Sequence, residues 1–204
     1  MRYHICMKIE IEAKFPGIDP AAIRAKLQDV GAHCAQPEIL MKRYVFDYED
    51  DVLNDTGGWV RVRDEGDKIT MSYKQLHGRT IKGTQEVEVI VHDFETTCVF
   101  LEAIGLIAKA YQETKREKWI WGDIEITIDT WPWVPTFLEI EGPTEIAVQN
   151  MARLLELDWD NALFGSVETI YQMHYRVTEE EIDQLPEIIF SSVPKWLEKR
   201  KIKK

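Results

Sequence analysis

Three short runs of the chain carry glutamates at alternate positions: Glu10 and Glu12 in "EIEAK", Glu86 and Glu88 in "QEVEV", and Glu139 and Glu141 in "LEIEG". A fourth, "VRVRD", carries Arg61 and Arg63 at the same spacing. Residues at i and i+2 of a β-strand share one face and stand about 6.6 Å apart. Like charges so placed repel, and a face merely washed by water gives no reason to pair them. Two carboxylates at that spacing suit a hard divalent cation, which takes carboxylate oxygens. Two guanidinium forks suit phosphate, whose oxygens they match bidentately. A divalent metal together with a polyphosphate satisfies both kinds of pair.

These residues must be positioned by strands. Period-two alternation marks segments 7–15, 43–48, 58–64, 68–76, 84–91, 115–121, 123–130 and 136–141. In the first, Glu10, Glu12 and Lys14 share a face, with Ile9, Ile11, Ala13 and Phe15 behind them. The same rule adds Thr70, Ser72 and Lys74, then Glu125, Thr127 and Asp129, with Arg116 on the segment between. Helices are signalled by caps and stops: Asp19 with Pro20 and Gly31, Asp93 with Gly105, Thr144 ahead of a stripe of Ile146, Met151, Leu154 and Leu155, and a segment from Ser166 to His174. For the charges to converge, the sheet must curl with its charged face concave. Eight antiparallel strands can close in that way. The expectation is an α+β fold, an eight-stranded antiparallel barrel with a charged lumen and helices on its apolar outside.

The chain has 204 residues, with 25 Lys and Arg against 36 Asp and Glu, a net charge of −11. That balance opposes general binding of nucleic-acid duplexes, which depends on basic surface. It allows one small anion where basic groups gather. No apolar run is long enough to span a bilayer and no secretion signal is evident, so a cytoplasmic protein is expected. Cys6, Cys34 and Cys98 are scattered and read as apolar fillers. The five histidines have no metal-ligand spacing. In "RYVFDY", Val45 is expected in the core, with Tyr44 and Phe46 on the other face. Trp131 and Trp133 are expected to pack against Trp119, Trp121 or the C-terminal segment, with stacking on a base as the alternative. No linker divides residues 1–175. Residues 176–204 read as an extension that docks through Ile188, Ile189, Phe190 and Trp196.

Taken in chain order, the motifs resemble the CYTH superfamily, the triphosphate tunnel metalloenzymes. They are Glu10-Ile11-Glu12-Ala13-Lys14, Arg61-Val62-Arg63, Lys74, Glu86 with Glu88, Arg116, Asp129, and Glu139 with Glu141. The resemblance covers residues 7–175, most of the proposed 1–175 domain. It implies a barrel-shaped tunnel, a small-molecule triphosphate substrate, and Mg²⁺ or Mn²⁺ as cofactor. By position it makes Glu10, Glu12, Glu139 and Glu141 the metal-side carboxylates. Lys14, Arg61, Arg63, Lys74 and Arg116 become the phosphate clamp, and Glu86 and Glu88 further acidic lining. Glu10, Glu12, Lys14 and Asp129 are the implied catalytic set. The family often has Lys-x-Arg where this chain has Thr114 and Arg116; Lys115 should point outward, and Lys118 can supply the missing charge. The implied activity is metal-dependent hydrolysis of tripolyphosphate or an organic triphosphate by a monomer or homodimer. The alternatives are a class IV adenylyl cyclase, whose usual His-Phe pair is reduced to His4 here, and a non-catalytic polyphosphate or nucleotide sensor.

Overall fold

Ile11 interrupts the N-terminal strand, and the two pieces it leaves become the two ends of the sheet. In the computed structural model, which describes residues 7–203, segment 7–15 forms two strands, β1 (Lys8–Glu10) and β2 (Glu12–Pro16). The others are β3 (His33–Asp47), β4 (Gly58–Asp64), β5 (Ile69–Leu76), β6 (Thr84–Val91), β7 (Ile107–Trp121), β8 (Ile124–Thr130), β9 (Phe137–Glu141) and β10 (Glu187–Ile188). Their order in the sheet is β1-β6-β5-β4-β3-β7-β8-β9-β2, with β10 paired to β7. The two ends of the sheet are therefore consecutive pieces of one chain segment, and the sheet curls around a lumen. Every pairing on that path is antiparallel. The curled α+β fold agrees with the sequence; the strand count and lengths differ.

Two strands are much longer than their periodicity shows. Segment 43–48 is the end of the 15-residue β3, and 115–121 is the second half of the 15-residue β7. In β3 the register shifts between Cys34 and Gln36 and between Gln36 and Ile39, around Pro37, so period two is lost there. In β7 the small Ala108 and Ala110 mark no apolar face.

The helices are α1 (Pro20–Asp29), α2 (Phe94–Ala103), α3 (Glu145–Leu154), α4 (Glu168–His174), α5 (Glu179–Asp183) and α6 (Lys195–Glu198). Asp19, Asp93 and Thr144 accept backbone N–H bonds at the first turns of α1, α2 and α3, which is why those helices begin where they do. Helices α1 and α3 bury Ile23, Leu27, Val148 and Met151 against Phe15, Ile126, Leu138 and Ile140 on the outer face of the sheet. Burying each such side chain contributes about 1.5–3 kcal/mol. A second cluster joins Trp131 and Phe137 to Tyr171, Tyr175, Ile182, Ile188 and Leu197, so the C-terminal segment lies against the barrel. A third holds Phe46, Val62, Leu101 and Leu106 under α2.

Three details differ from the sequence reading. The parity of "RYVFDY" is reversed, because β3 registers Tyr44 with Val62 and Phe46 with Val60, while Arg43 and Val45 oppose Arg63 and Arg61. Phe46 is fully buried under α2, whereas Val45 lines the lumen. Cys34 is exposed at the start of β3 rather than a buried filler, Cys98 is half-buried, and Cys6, like His4, lies outside the described residues. Helical cover is incomplete: α2 lies on β4 and β7, leaving Ile9, Val87 and Val89 exposed on β1 and β6. Among the described residues no helix is long and apolar enough to cross a membrane.

Candidate active site

The lumen is a cavity of about 930 Å³. Its charges are sorted by wall. Passing from β1/β2 through β6, β5 and β4 reaches β3 in four steps, and passing through β9, β8 and β7 reaches it in four steps also. Strand β3 is thus opposite the N-terminal strand. Glu10 and Glu12 line the cavity from β1 and β2, flanked by Glu86 and Glu88 on β6 and by Glu139 and Glu141 on β9. Arg61 and Arg63 line it from β4, flanked by Lys74 on β5 and, beyond β3, by Arg116 and Lys118 on β7. Lys14, on the acidic wall, is the exception among the expected clamp residues.

Where the walls meet, opposite charges pair. Lys14 Nζ lies 2.8 Å from Glu12 and 3.1 Å from Glu139. Lys74 Nζ lies 2.9 Å from Glu10 and 3.5 Å from Glu86. Arg61 reaches Glu86 at 3.2 Å and Glu88 at 3.5 Å, Lys118 reaches Glu125 at 3.0 Å, and Lys8 reaches Glu141 at 2.7 Å. Lys115 points outward, 5.2 Å from the Phe190 ring. Asp129 is only 1% exposed and stands behind Arg116. Its carboxylate accepts Arg116 Nε–H at 2.7 Å, Arg116 Nη2–H at 2.8 Å and the Thr127 hydroxyl at 2.6 Å. Asp129 therefore aims Arg116, which also stands 3.5 Å from Glu139.

The field of this lumen splits the glutamates. Burial pushes the Glu10 carboxyl up to about 7; Lys74 opposes the rise, and Glu12 and Glu86 add to it. Burial, with Glu139 beside it, also raises Glu12. Burial acts against the charge on Glu139 as well, but Lys14 and Arg116 overcome it and hold that carboxyl at about 2. Glu86 is likewise held at about 2 despite burial, by Lys74 and Arg61. Arg61 is pushed down to about 10 by burial and by Arg63. The acidic wall thus holds two carboxyls that lack enough positive charge.

Residues 8–157 match the family model of the CYTH domain. The chain belongs to the CYTH domain family. No curated protein matches it. Among solved structures, this CYTH domain resembles the PH1012 protein from Pyrococcus horikoshii OT3, with 20% identity and a TM-score of 0.64, over 76% of this chain and 94% of that one. It resembles a candidate adenylate cyclase from Vibrio parahaemolyticus, with 14% identity and a TM-score of 0.71, over 82% of this chain and 99% of that one. A candidate adenylyl cyclase from Hippeastrum, described as having a dominant triphosphatase activity, matches at 12% identity and a TM-score of 0.54, over 86% and 95%. At these identities the likeness establishes the shared fold.

The CYTH lumen also contains charged groups that alternation did not single out. Glu65, in the turn after β4, accepts both Nε–H and Nη2–H of Arg63 and the Thr70 hydroxyl, and these partners with Lys68 hold it at about 2 against burial. Its turn, "DEGDK", lies between the alternating segments 58–64 and 68–76. Trp59 lines the cavity two residues before Arg61, a position that alternation could have flagged. Arg43 lines it from β3. Trp131 also reaches the lumen, but one ring face is covered by Arg43, 4.1 Å from its centroid; Trp133 donates to the Ser191 carbonyl in the C-terminal segment.

For a divalent cation the donor set fits in chemistry: hard carboxylate oxygens on adjacent strands, two of them with raised pKa. The positions are those of Glu10, Glu12, Glu139 and Glu141. As the side chains stand, among the described residues no three His, Cys, Asp or Glu groups converge on a point that could hold a metal. Lys14 and Lys74 take the carboxylates instead. A cation at this wall has to displace an ammonium, and it must also expel the proton that Glu10 holds near neutrality. Titrating Mg²⁺ at pH 7 is therefore expected to release protons, seen as a dependence of the calorimetric heat on buffer ionisation enthalpy. Heats identical in buffers of different ionisation enthalpy would contradict this.

Proposed function

We propose that this CYTH domain hydrolyses a small triphosphate with the help of a divalent cation, Mg²⁺ or Mn²⁺. The observation that carries the reading is the sorting of charge: carboxylates on one wall and arginines on the opposite wall of one 930 Å³ cavity. A ligand that suits both walls is anionic and chelates a cation. Phosphoryl transfer needs little covalent assistance, so positioning and charge neutralisation suffice. Arg61, Arg63, Lys74, Arg116 and Lys118, with Lys14, would hold the phosphate oxygens. Glu65 and Asp129 fix the planes of Arg63 and Arg116 beforehand, so those forks need no rearrangement when substrate arrives. Glu10, Glu12, Glu139 and Glu141 would hold the cation, which when bound neutralises phosphate charge and polarises water. A closed sheet of this size admits an extended phosphate chain and excludes a duplex.

The test offers tripolyphosphate, thiamine triphosphate and ATP separately, with Mg²⁺ or Mn²⁺, and separates the products by anion-exchange chromatography. Orthophosphate from at least one substrate, lost on adding EDTA, is the expected outcome. Cyclic AMP with pyrophosphate from ATP would replace the reading with the cyclase, which the same clamp would serve. For a stacked base, Trp131 and Trp133 are already engaged, and Trp59 is the aromatic side chain left facing the lumen near the clamp. Saturable binding without any product would replace it with a sensor, for which the acidic wall has no use.

A further inference from the structure

We infer that Arg43 is the anchor of the bound anion, gripping a phosphate on the wall opposite the carboxylates; this rests on the triphosphate reading and names the residue that fixes the substrate there. Register places it. Arg43 is the Cα partner of Arg63 on one side and of Gln112 on the other, on the strand that faces β1/β2 across the lumen. Directly opposed like charges are unfavourable unless an opposite charge comes between them.

The partners of Arg43 set it apart. Lys14, Arg61, Arg63, Lys74, Arg116 and Lys118 each have a carboxylate within 4 Å. Among the described residues Arg43 has none. Its Nε–H is donated to Gln112 Oε1 at 2.8 Å, and its guanidinium stacks at 4.1 Å on Trp131, whose ring is in turn held edge-on by Tyr171. Both braces are neutral: they fix the plane of the fork without cancelling its charge. A guanidinium has five N–H donors. Among the described residues only the one on Nε has a hydrogen-bond acceptor, so the fork end of Arg43 is left to the lumen. Burial, with Arg61, Arg63 and Arg116 around it, pushes its pKa well below the usual arginine range, and Glu168 opposes the fall without forming an ion pair. A structural arginine would be given a counterion. This one is held ready for an anion from outside, and the carboxylates across the lumen require the same ligand to bring or bind a cation. A polyphosphate with its metal meets both requirements.

The experiment compares wild type, Arg43→Gln and Arg43→Lys by thermal melts and calorimetric titration in EDTA, which prevents turnover, with tripolyphosphate, pyrophosphate and sulfate as probes. Arg43→Gln without anion is expected to melt as high as wild type or higher, because it removes an unpaired buried charge. Its tripolyphosphate Kd is expected to weaken at least tenfold. Arg43→Lys, keeping the charge but losing the fork and the stack, should fall between. A lower melting temperature of anion-free Arg43→Gln with unchanged Kd would make the fork structural and overturn the proposal, as would Arg43→Lys binding like wild type. If wild type responds to sulfate or pyrophosphate but not to tripolyphosphate, and Arg43→Gln abolishes that response, the triphosphate reading fails while the anchor stands. If no anion shifts wild type, the anchor fails.

Discussion

Glu12→Gln is expected to lower metal-dependent triphosphate hydrolysis at least about 100-fold, the scale of losing one preorganised charge-stabilising group at a reacting centre, while leaving the fold intact. The two halves of that expectation have one cause. Burial and the neighbouring Glu139 raise the pKa of Glu12, so the folded chain already disfavours its charged form. A neutral glutamine costs the fold little there, and Lys14 keeps Glu139 at 3.1 Å as a partner. The sign of the accompanying pH effect follows. A carboxyl whose folded pKa lies above its unfolded value stabilises the fold when protonated, and that contribution is lost as pH rises from the unfolded to the folded pKa. For Glu10 the window is about 4.5 to 7. The metal-free protein should therefore lose stability across that window, and Glu10→Gln should flatten the loss. Glu86 and Glu139, held at about 2, act oppositely, and their contribution is lost as pH falls from about 4.5 toward 2. Melting temperatures at pH 3, pH 5 and pH 8, with and without the substitutions, read these effects. A Glu12→Gln variant with wild-type turnover would remove Glu12 from the site.

Asp129→Asn is expected to do the reverse: a large loss of stability along with the loss of clamp geometry. Asp129 is buried and accepts three hydrogen bonds, two of them from Arg116. An amide in its place turns a donor toward a guanidinium and leaves a buried cation short of charge. Removing one partner of a buried ion pair typically costs about 3–5 kcal/mol. In a chain of this size that lowers the melting temperature by on the order of 10 °C. Arg116 retains Glu139 at 3.5 Å, so the variant should fold, but with its fork misdirected and its affinity for tripolyphosphate reduced. Circular-dichroism melts and calorimetric titration measure both. Unchanged stability would show that Asp129 does not hold Arg116 in solution.

How far the sequence could be read depended on whether the information was local. The paired glutamates and arginines were legible because strand alternation alone puts i and i+2 on one face, and the caps at Asp19, Asp93 and Thr144 were legible because capping is set within one turn. The division into opposite walls was not, since it depends on sheet order: β3 comes second of the full-length strands in the chain but lies farthest from β1/β2 in the ring. Arg43 escaped for a related reason. It heads a run of aromatic and apolar residues whose parity is fixed only by pairing with β4, and the opposite parity was the natural reading. Glu65 escaped because its turn is polar throughout, and only the fold brings Arg63 and Thr70 onto its carboxylate. The break at Ile11 is invisible to a rule that treats an unbroken alternation as one strand.

The central claim, that the two walls act together on a triphosphate, is tested most directly by phosphorus NMR of tripolyphosphate incubated with wild type and Glu12→Gln in Mg²⁺. Wild type should give orthophosphate and pyrophosphate in equal amounts, and the variant should leave the tripolyphosphate signals unchanged over the same time. Equal hydrolysis by both proteins would contradict the account, as would a wild type that leaves tripolyphosphate, thiamine triphosphate and ATP all intact.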